Sequence, residues 1–195
     1  QIRAVRDGDH TPDAIRKVER LLESAVQAAA YMVFGLAQSD PDQQGMGTTV
    51  SALLLLDRFG VTAQVGDSRV YMVRGGRAHQ LTEDHTLVAW QLQQGVISAA
   101  EAEVSPHRNV ITRAVGSKEY VQVDTHFFET QSGDCYLVCS DGLHGYLEDD
   151  EIPVVLKDAP ELAVRRFVDM ANARGGRDNI TAVAVQVLAP EDSGS

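Results

Sequence analysis

Asp141 and Asp178 each stand where an apolar, strand-like run meets a glycine-containing turn. The first closes Tyr136-Leu137-Val138-Cys139-Ser140-Asp141-Gly142, and the second opens Asp178-Asn179-Ile180-Thr181-Ala182-Val183-Ala184-Val185 after Gly175-Gly176-Arg177. A carboxylate at the mouth of a buried strand is fixed at its backbone yet reaches solvent, which a hard, oxygen-seeking cation such as Mg²⁺ or Mn²⁺ requires. Aspartate also favours turns and helix caps for purely local reasons, and a single Asp-Gly pair carries little weight. Asp84 strengthens the cation reading. It lies in Leu81-Thr82-Glu83-Asp84-His85-Thr86, at the border of a strand-like run and a helical one. Three separated boundary aspartates suit an ion to which the protein gives few ligands and water the rest.

Other reactive-looking residues read as structural. Gly66-Asp67-Ser68-Arg69 has the composition of a hairpin turn, with Asp67 bonding its own backbone. Gly45-Met46-Gly47-Thr48-Thr49 lacks the lysine of a phosphate-binding loop and precedes a strand, where phosphate loops open a helix. Its threonines are expected to tie down the start of that strand. The six histidines contain no His-x-x-x-His zinc pattern. His85, beside Asp84, is assigned a structural hydrogen bond ahead of ligation or proton transfer. Ser140 lacks the Gly-x-Ser-x-Gly setting of a nucleophile. The two cysteines, Cys135 and Cys139, share one face of a strand too far apart to bridge, and read as reduced core thiols of a cytosolic protein.

These side chains need a scaffold. The 195 residues, 44% hydrophobic, are enough for one core and predict a single domain over 1–188, followed by a disordered tail over 189–195. With 17 basic against 28 acidic side chains the formal charge is −11, which disfavours nucleic acid and anionic membranes as partners. No apolar run has the length of a membrane span, so the chain reads as a soluble, cytoplasmic protein.

Thr11-Pro12 caps a long amphipathic helix with apolar positions 15, 18, 22, 26, 29, 33 and 36, ended by Pro41. Short strands are predicted over 50–56, 61–65, 70–73 and 77–81, whose brief connections imply an antiparallel meander. Two short helices follow over 86–94 and from Ser98, the latter opened by a capping box with Glu101. Strands are then expected over 110–115, 121–128 and 135–139, the last central and buried on both faces. Pro153 limits any helix over 148–156, whereas 160–173 has clean helical periodicity, and 180–188 forms the closing strand. Strands grouped together with helices between the groups indicate an α+β fold.

Taken in order, Gly45-Met46-Gly47-Thr48-Thr49, Val65-Gly66-Asp67-Ser68-Arg69, Leu81-Thr82-Glu83-Asp84-His85, Asn109-Val110-Ile111-Thr112-Arg113-Ala114-Val115-Gly116, Cys139-Ser140-Asp141-Gly142-Leu143 and Asp178-Asn179-Ile180-Thr181 resemble the motif series of the bacterial metal-dependent protein serine/threonine phosphatases of type 2C. The likeness runs over about residues 12 to 188, and six motifs in the right order make it specific. It implies a β-sandwich of two antiparallel sheets flanked by helix pairs, a four-layer αββα arrangement. It also implies a centre of two Mn²⁺ or Mg²⁺ ions with a third held more weakly. By matching position Asp141 and Asp178 resemble ligands of the first ion, and Asp84 the aspartate of the third. Residues 91–115 would contain a mobile flap. The implied activity is hydrolysis of phosphoserine and phosphothreonine on proteins by a metal-activated water, reversing a bacterial Ser/Thr kinase.

The resemblance is incomplete at one end. An Arg-x-x-Asn-Glu-Asp strand motif, an Asp-Gly-Met-Gly-Gly-His motif and a helix precede the long helix in the family, about 30 to 40 residues in all. They would supply an aspartate bridging two ions, a second acidic ligand, a phosphate-binding arginine and a general-acid histidine. Asp7-Gly8-Asp9-His10 echoes the second motif, but with no intervening helix. The expectation is therefore an N-terminally incomplete domain with an open sheet edge and half a metal site. A noncatalytic domain that binds phosphoproteins is the alternative. A Ca²⁺-binding module fits less well, since the acidic residues form no contiguous loop.

Overall fold

The computed structural model describes Ile2, residues 11 to 56 and residues 58 to 189. The Asp7-Gly8-Asp9-His10 echo and residues 190–195 of the predicted tail lie outside them. Helix α1 spans Pro12–Ser39, with the Thr11 hydroxyl accepting the Ala14 N–H at 3.3 Å and Pro12 at its first position, where a missing N–H costs nothing. Its buried line runs through Ala14, Val18, Val26, Ala30 and Ala37. That is one position beyond the predicted 29 and 36, and Leu36 is exposed.

The strands form two antiparallel sheets. In the first, β1 (Val50–Leu56) pairs with β2 (Phe59–Val65), which pairs with β5 (Asp124–Glu129). In the second the order is β4-β3-β6-β7, built from β4 (Arg77–Gln80), β3 (Arg69–Arg74), β6 (Cys135–Cys139) and β7 (Ala182–Gln186). The sheets stack through contacts of β1 with β3 and β6. Helix α1 covers the first sheet, with Val26 and Ala30 packed on Ala63 and Val65, and Ala14 and Val18 on Leu56 and Val61. Just past β6 lies the one-turn helix α4 (Asp141–His144), and the second sheet is covered by α5 (Glu151–Val155) and α6 (Pro160–Ala173), whose Ile152, Val155 and Phe167 join Leu137 and Tyr71 in the largest core. The layers are therefore helix, sheet, sheet, helix, an α+β sandwich. Among the described residues no helix is long and apolar enough to cross a membrane.

Three expectations about the chain's path are corrected. The meander is interrupted, because β2 and β3 belong to different sheets, and Gly66-Asp67-Ser68 is a crossover instead of a hairpin turn. Gly66 has φ +109°, and a Cβ there would lie 2.3 Å from the Thr49 side chain, so the chain passes hard against the start of β1 as it changes sheet. The predicted strand over 110–115 is reduced to single bridges, Thr86 with Ile111 and Val115 with Thr48. The 121–128 strand starts only at Asp124. Pro153 is tolerated in α5 because it sits in the first turn, whose N–H groups lack helical partners. The segment between β4 and β5 carries α2 (Leu87–Gln93) and α3 (Ala99–Glu103), capped by Thr86 and by the predicted Ser98/Glu101 box.

Candidate functional site

One end of the second sheet gathers the acidic residues. Cys139 pairs with Arg69 on one side and Ala182 on the other, so the residues just past β6, before β3 and before β7 are neighbours. Asp141 and Asp178 line one cavity of about 700 Å³, together with Asp67 and Asp84. Beyond the last ladder pair, Ser140 continues the pairing. Its N–H donates to the Thr181 carbonyl at 3.1 Å, and its hydroxyl donates to the Asn179 carbonyl at 3.2 Å and accepts the Thr181 N–H at 3.0 Å. Gly142 lies so close to Asn179 that an added Cβ would sit 2.3 Å from that carbonyl oxygen. The two aspartate-bearing segments are thus clamped backbone to backbone.

Each clamped aspartate uses one oxygen locally. Asp141 Oδ1 accepts the Gly142 N–H at 2.8 Å, and Asp178 Oδ1 accepts the Asn179 N–H at 2.7 Å. Neither makes an ion pair among the described residues. Asp67, lining the same cavity, is buried. Burial, then the charges of Asp141 and Asp84, push its carboxyl above the usual range. Asp67 and Asp141, which repel each other and make no ion pair among the described residues, suit a divalent ion, whose charge would relieve the repulsion.

Asp84 is in a different state. Arg69 grips it with Nε at 2.9 Å from Oδ1 and Nη2 at 2.7 Å from Oδ2, and Arg69 Nη1 donates to the Tyr71 hydroxyl at 2.8 Å. Burial works against the Arg69 charge, but the bond to Asp84 outweighs it and the guanidinium is held more firmly protonated. Among the described residues, no three His, Cys, Asp or Glu side chains come together as a metal-binding group. The structure therefore brings all three predicted aspartates to one cavity, with Asp141 and Asp178 open to it and Asp84 salt-bridged.

The histidines near the cavity are structural donors and acceptors. His85 Nδ1 accepts the Gly66 N–H at 3.1 Å, which leaves the proton on Nε2 to bond Asp124 at 2.9 Å. Arg113 reaches the same carboxylate at 2.8 Å. His144 Nε2 lies 2.9 Å from the Asp67 carbonyl, an acceptor only, so this nitrogen carries the proton. Burial and then Arg69 hold His144 below its ordinary pKa. The Thr49 hydroxyl meets the Ser68 hydroxyl at 3.0 Å, tying β1 to the crossover.

Sequence reasoning missed Asp67, Ser140 and Gly142 as site residues. Asp67 carried the same signal as Asp141, an apolar run ending in an Asp/Gly pair, but its turn-like composition masked it. The opposite wall comes from α2 and the predicted flap, residues 91–115, of which only Val115 is buried; it includes Val88, Leu92, Glu103 and Arg108. The segment is tied down at its base, where Thr112 N–H donates to the His85 carbonyl and Leu87 N–H to the Val110 carbonyl, both at 2.8 Å.

The pattern of the family described as Protein phosphatase 2C matches residues 3 to 91. The serine/threonine phosphatase stp of Listeria welshimeri is 37% identical over 172 residues, covering 87% of this chain and 68% of that protein. Among solved structures, the serine/threonine phosphatase Stp1 from Staphylococcus aureus superposes with a TM-score of 0.85 at 29% identity, over 89% of this chain and 69% of that one. The catalytic domain of the serine threonine protein phosphatase PstP, in complex with two manganese ions, gives a TM-score of 0.77 at 30% identity, over 94% of this chain and 75% of that one. The chain belongs to the protein phosphatase 2C family.

Proposed function

For a member of this family with an acidic cavity at one sheet end, we propose hydrolysis of phosphoserine and phosphothreonine on proteins, dependent on divalent metal. The observation that carries the reading is the clamped pair Asp141 and Asp178, open to one cavity that Asp67 also lines. Asp141 and Asp178 would hold one Mn²⁺ or Mg²⁺ ion, and Asp84 would serve a third, more weakly held one. When bound, such ions supply Lewis acidity that activates water and offsets phosphoryl charge.

The chain's own groups make a covalent route unattractive. The Ser140 hydroxyl is committed to Asn179 and Thr181. Cys139 is buried, and burial pushes its thiol up to about 12, so no thiolate forms at neutral pH. Direct attack by water is left. Asp141 and Asp178 fix the charge at the cavity mouth, the Ser140 clamp keeps their spacing, and His144 holds the Asp67 backbone beside them. The wall from α2 and α3 borders the cavity in which a phosphate would sit.

In this reading residues 1–188 act as one phosphatase domain, countering a Ser/Thr kinase. Free thiols at Cys135 and Cys139 suit a reducing, cytoplasmic setting. The ligands implied by the Asp-Gly-Met-Gly-Gly-His pattern are not among the described residues, and the additional ion they would share belongs to this proposal alone. A noncatalytic phosphoprotein-binding role is not favoured, because the similar proteins are named phosphatases and the aspartates stay clamped in place. The test is release of phosphate from a phosphoserine peptide with Mn²⁺ present and after chelation. Metal-restored turnover is expected; hydrolysis indifferent to chelation would overturn the reading.

A further inference from the structure

Four guanidinium groups line the acidic cavity, and they divide into two kinds. Arg69 is spent on Asp84 and Tyr71. Arg174 is spent on Glu151 and the Tyr146 carbonyl. Arg108 and Arg177 make no ion pair among the described residues, although Glu103 and Asp178 line the same space. They also come from different elements. Arg108 sits in the turn after α3, where its N–H donates to the Ser105 carbonyl at 3.3 Å, and Arg177 precedes Asp178, its N–H donating to the Tyr146 hydroxyl at 3.2 Å.

We propose that Arg108 and Arg177 form a second anion subsite, which selects phosphopeptides carrying another negative group beside the phosphorylated residue. The proposal rests on the phosphatase reading for the identity of the ligand. A chain of formal charge −11 repels an acidic peptide at long range, so acceptance of one requires local cations that the fold has not already neutralised. Guanidinium is suited to the task because its planar fork meets a carboxylate or phosphate through two parallel hydrogen bonds. A cavity of about 700 Å³ has room for more than a phosphate alone. The second anion is either an aspartate or glutamate side chain or a second phosphate, and both are recognised by the same chemistry.

The test is fluorescence anisotropy with peptides that carry a non-hydrolysable phosphonate in place of phosphoserine. Four flanks are compared: neutral, basic, acidic and phosphorylated at a neighbouring residue. The protein is expected to bind at least one anionic flank about tenfold more tightly than the neutral one at low salt, and salt should erode the difference. Arg108→Ala and Arg177→Ala should each shrink that ratio towards one, Arg108→Lys should keep part of it, and Arg108→Glu should reverse it in favour of a basic flank. The larger ratio, acidic or phosphorylated, identifies the source of the second anion. Equal affinity for all flanks, or a ratio unchanged in both alanine variants, would overturn the proposal. Because nothing is hydrolysed, an inactive protein that keeps the flank preference would contradict the phosphatase reading while supporting the subsite.

Discussion

The two walls of the cavity are held by opposite means. The floor, where β6 and β7 end, is fixed by ladder pairs, the Ser140 clamp and the close approach of Gly142 to Asn179, over a core that includes Leu137, Leu143 and Phe167. The roof, residues 91–115, buries only Val115 at its end, exposes Val104 at 82%, and is secured by local caps and a few backbone bonds at its base. In the proposed reading, the groups that would hold an ion sit on the clamped part, and the part that would meet a peptide is anchored at its ends. Stability is distributed in the same way in proteins generally, with binding segments drawn from the weakly held regions.

If the floor is the chemical wall, its carboxylates matter far more to turnover than to folding. Asp141→Asn or Asp178→Asn should lower Mn²⁺-dependent phosphopeptide turnover about a hundredfold or more while leaving the urea midpoint almost unmoved. Comparable losses from a roof alanine variant would erase the distinction. A smaller effect is expected at the clamp. Gly142→Ala places a Cβ against the Asn179 backbone, and should cost about 1–3 kcal/mol in urea unfolding together with much of the activity. On the roof, Ser98→Ala removes the capping box. Amide exchange over α3 should quicken about fivefold with no change in the global midpoint. A matching global shift would mean that roof and floor unfold as one unit.

His85 ties the base of the roof to Gly66 and Asp124, and its pH response is the gentlest of these effects. Burial, only partly offset by Asp124, holds its pKa below the ordinary 6.5. In the unfolded chain the imidazole takes up a proton near that value, so its contribution is complete above pH 6.5 and falls as pH drops below it. Urea unfolding should give a lower midpoint at pH 5.5 than at pH 8, and His85→Gln should flatten that difference.

The sequence made the floor legible more readily than the roof. Helix α6 matches its predicted 160–173, and β6 its predicted 135–139, because the periodicity of an element with a buried face is written in its own residues. The crossover at Gly66-Asp67-Ser68 was not legible, since its composition is that of a hairpin turn and the deciding contact is with Thr49, distant in sequence. Asp67 was lost as a site residue with it. The 110–115 run, apolar enough for a strand, has only single-bridge partners in space. The grip of Arg69 on Asp84 depends on the geometry of β3 against the turn after β4, which spacing along the chain does not encode.

The most direct test of the floor as a cation site is isothermal titration of Mn²⁺ into the metal-free protein and into Asp141→Asn and Asp178→Asn. Saturable binding to the protein, weakened at least tenfold by either substitution, is the predicted result. Binding of equal strength in all three would contradict the account.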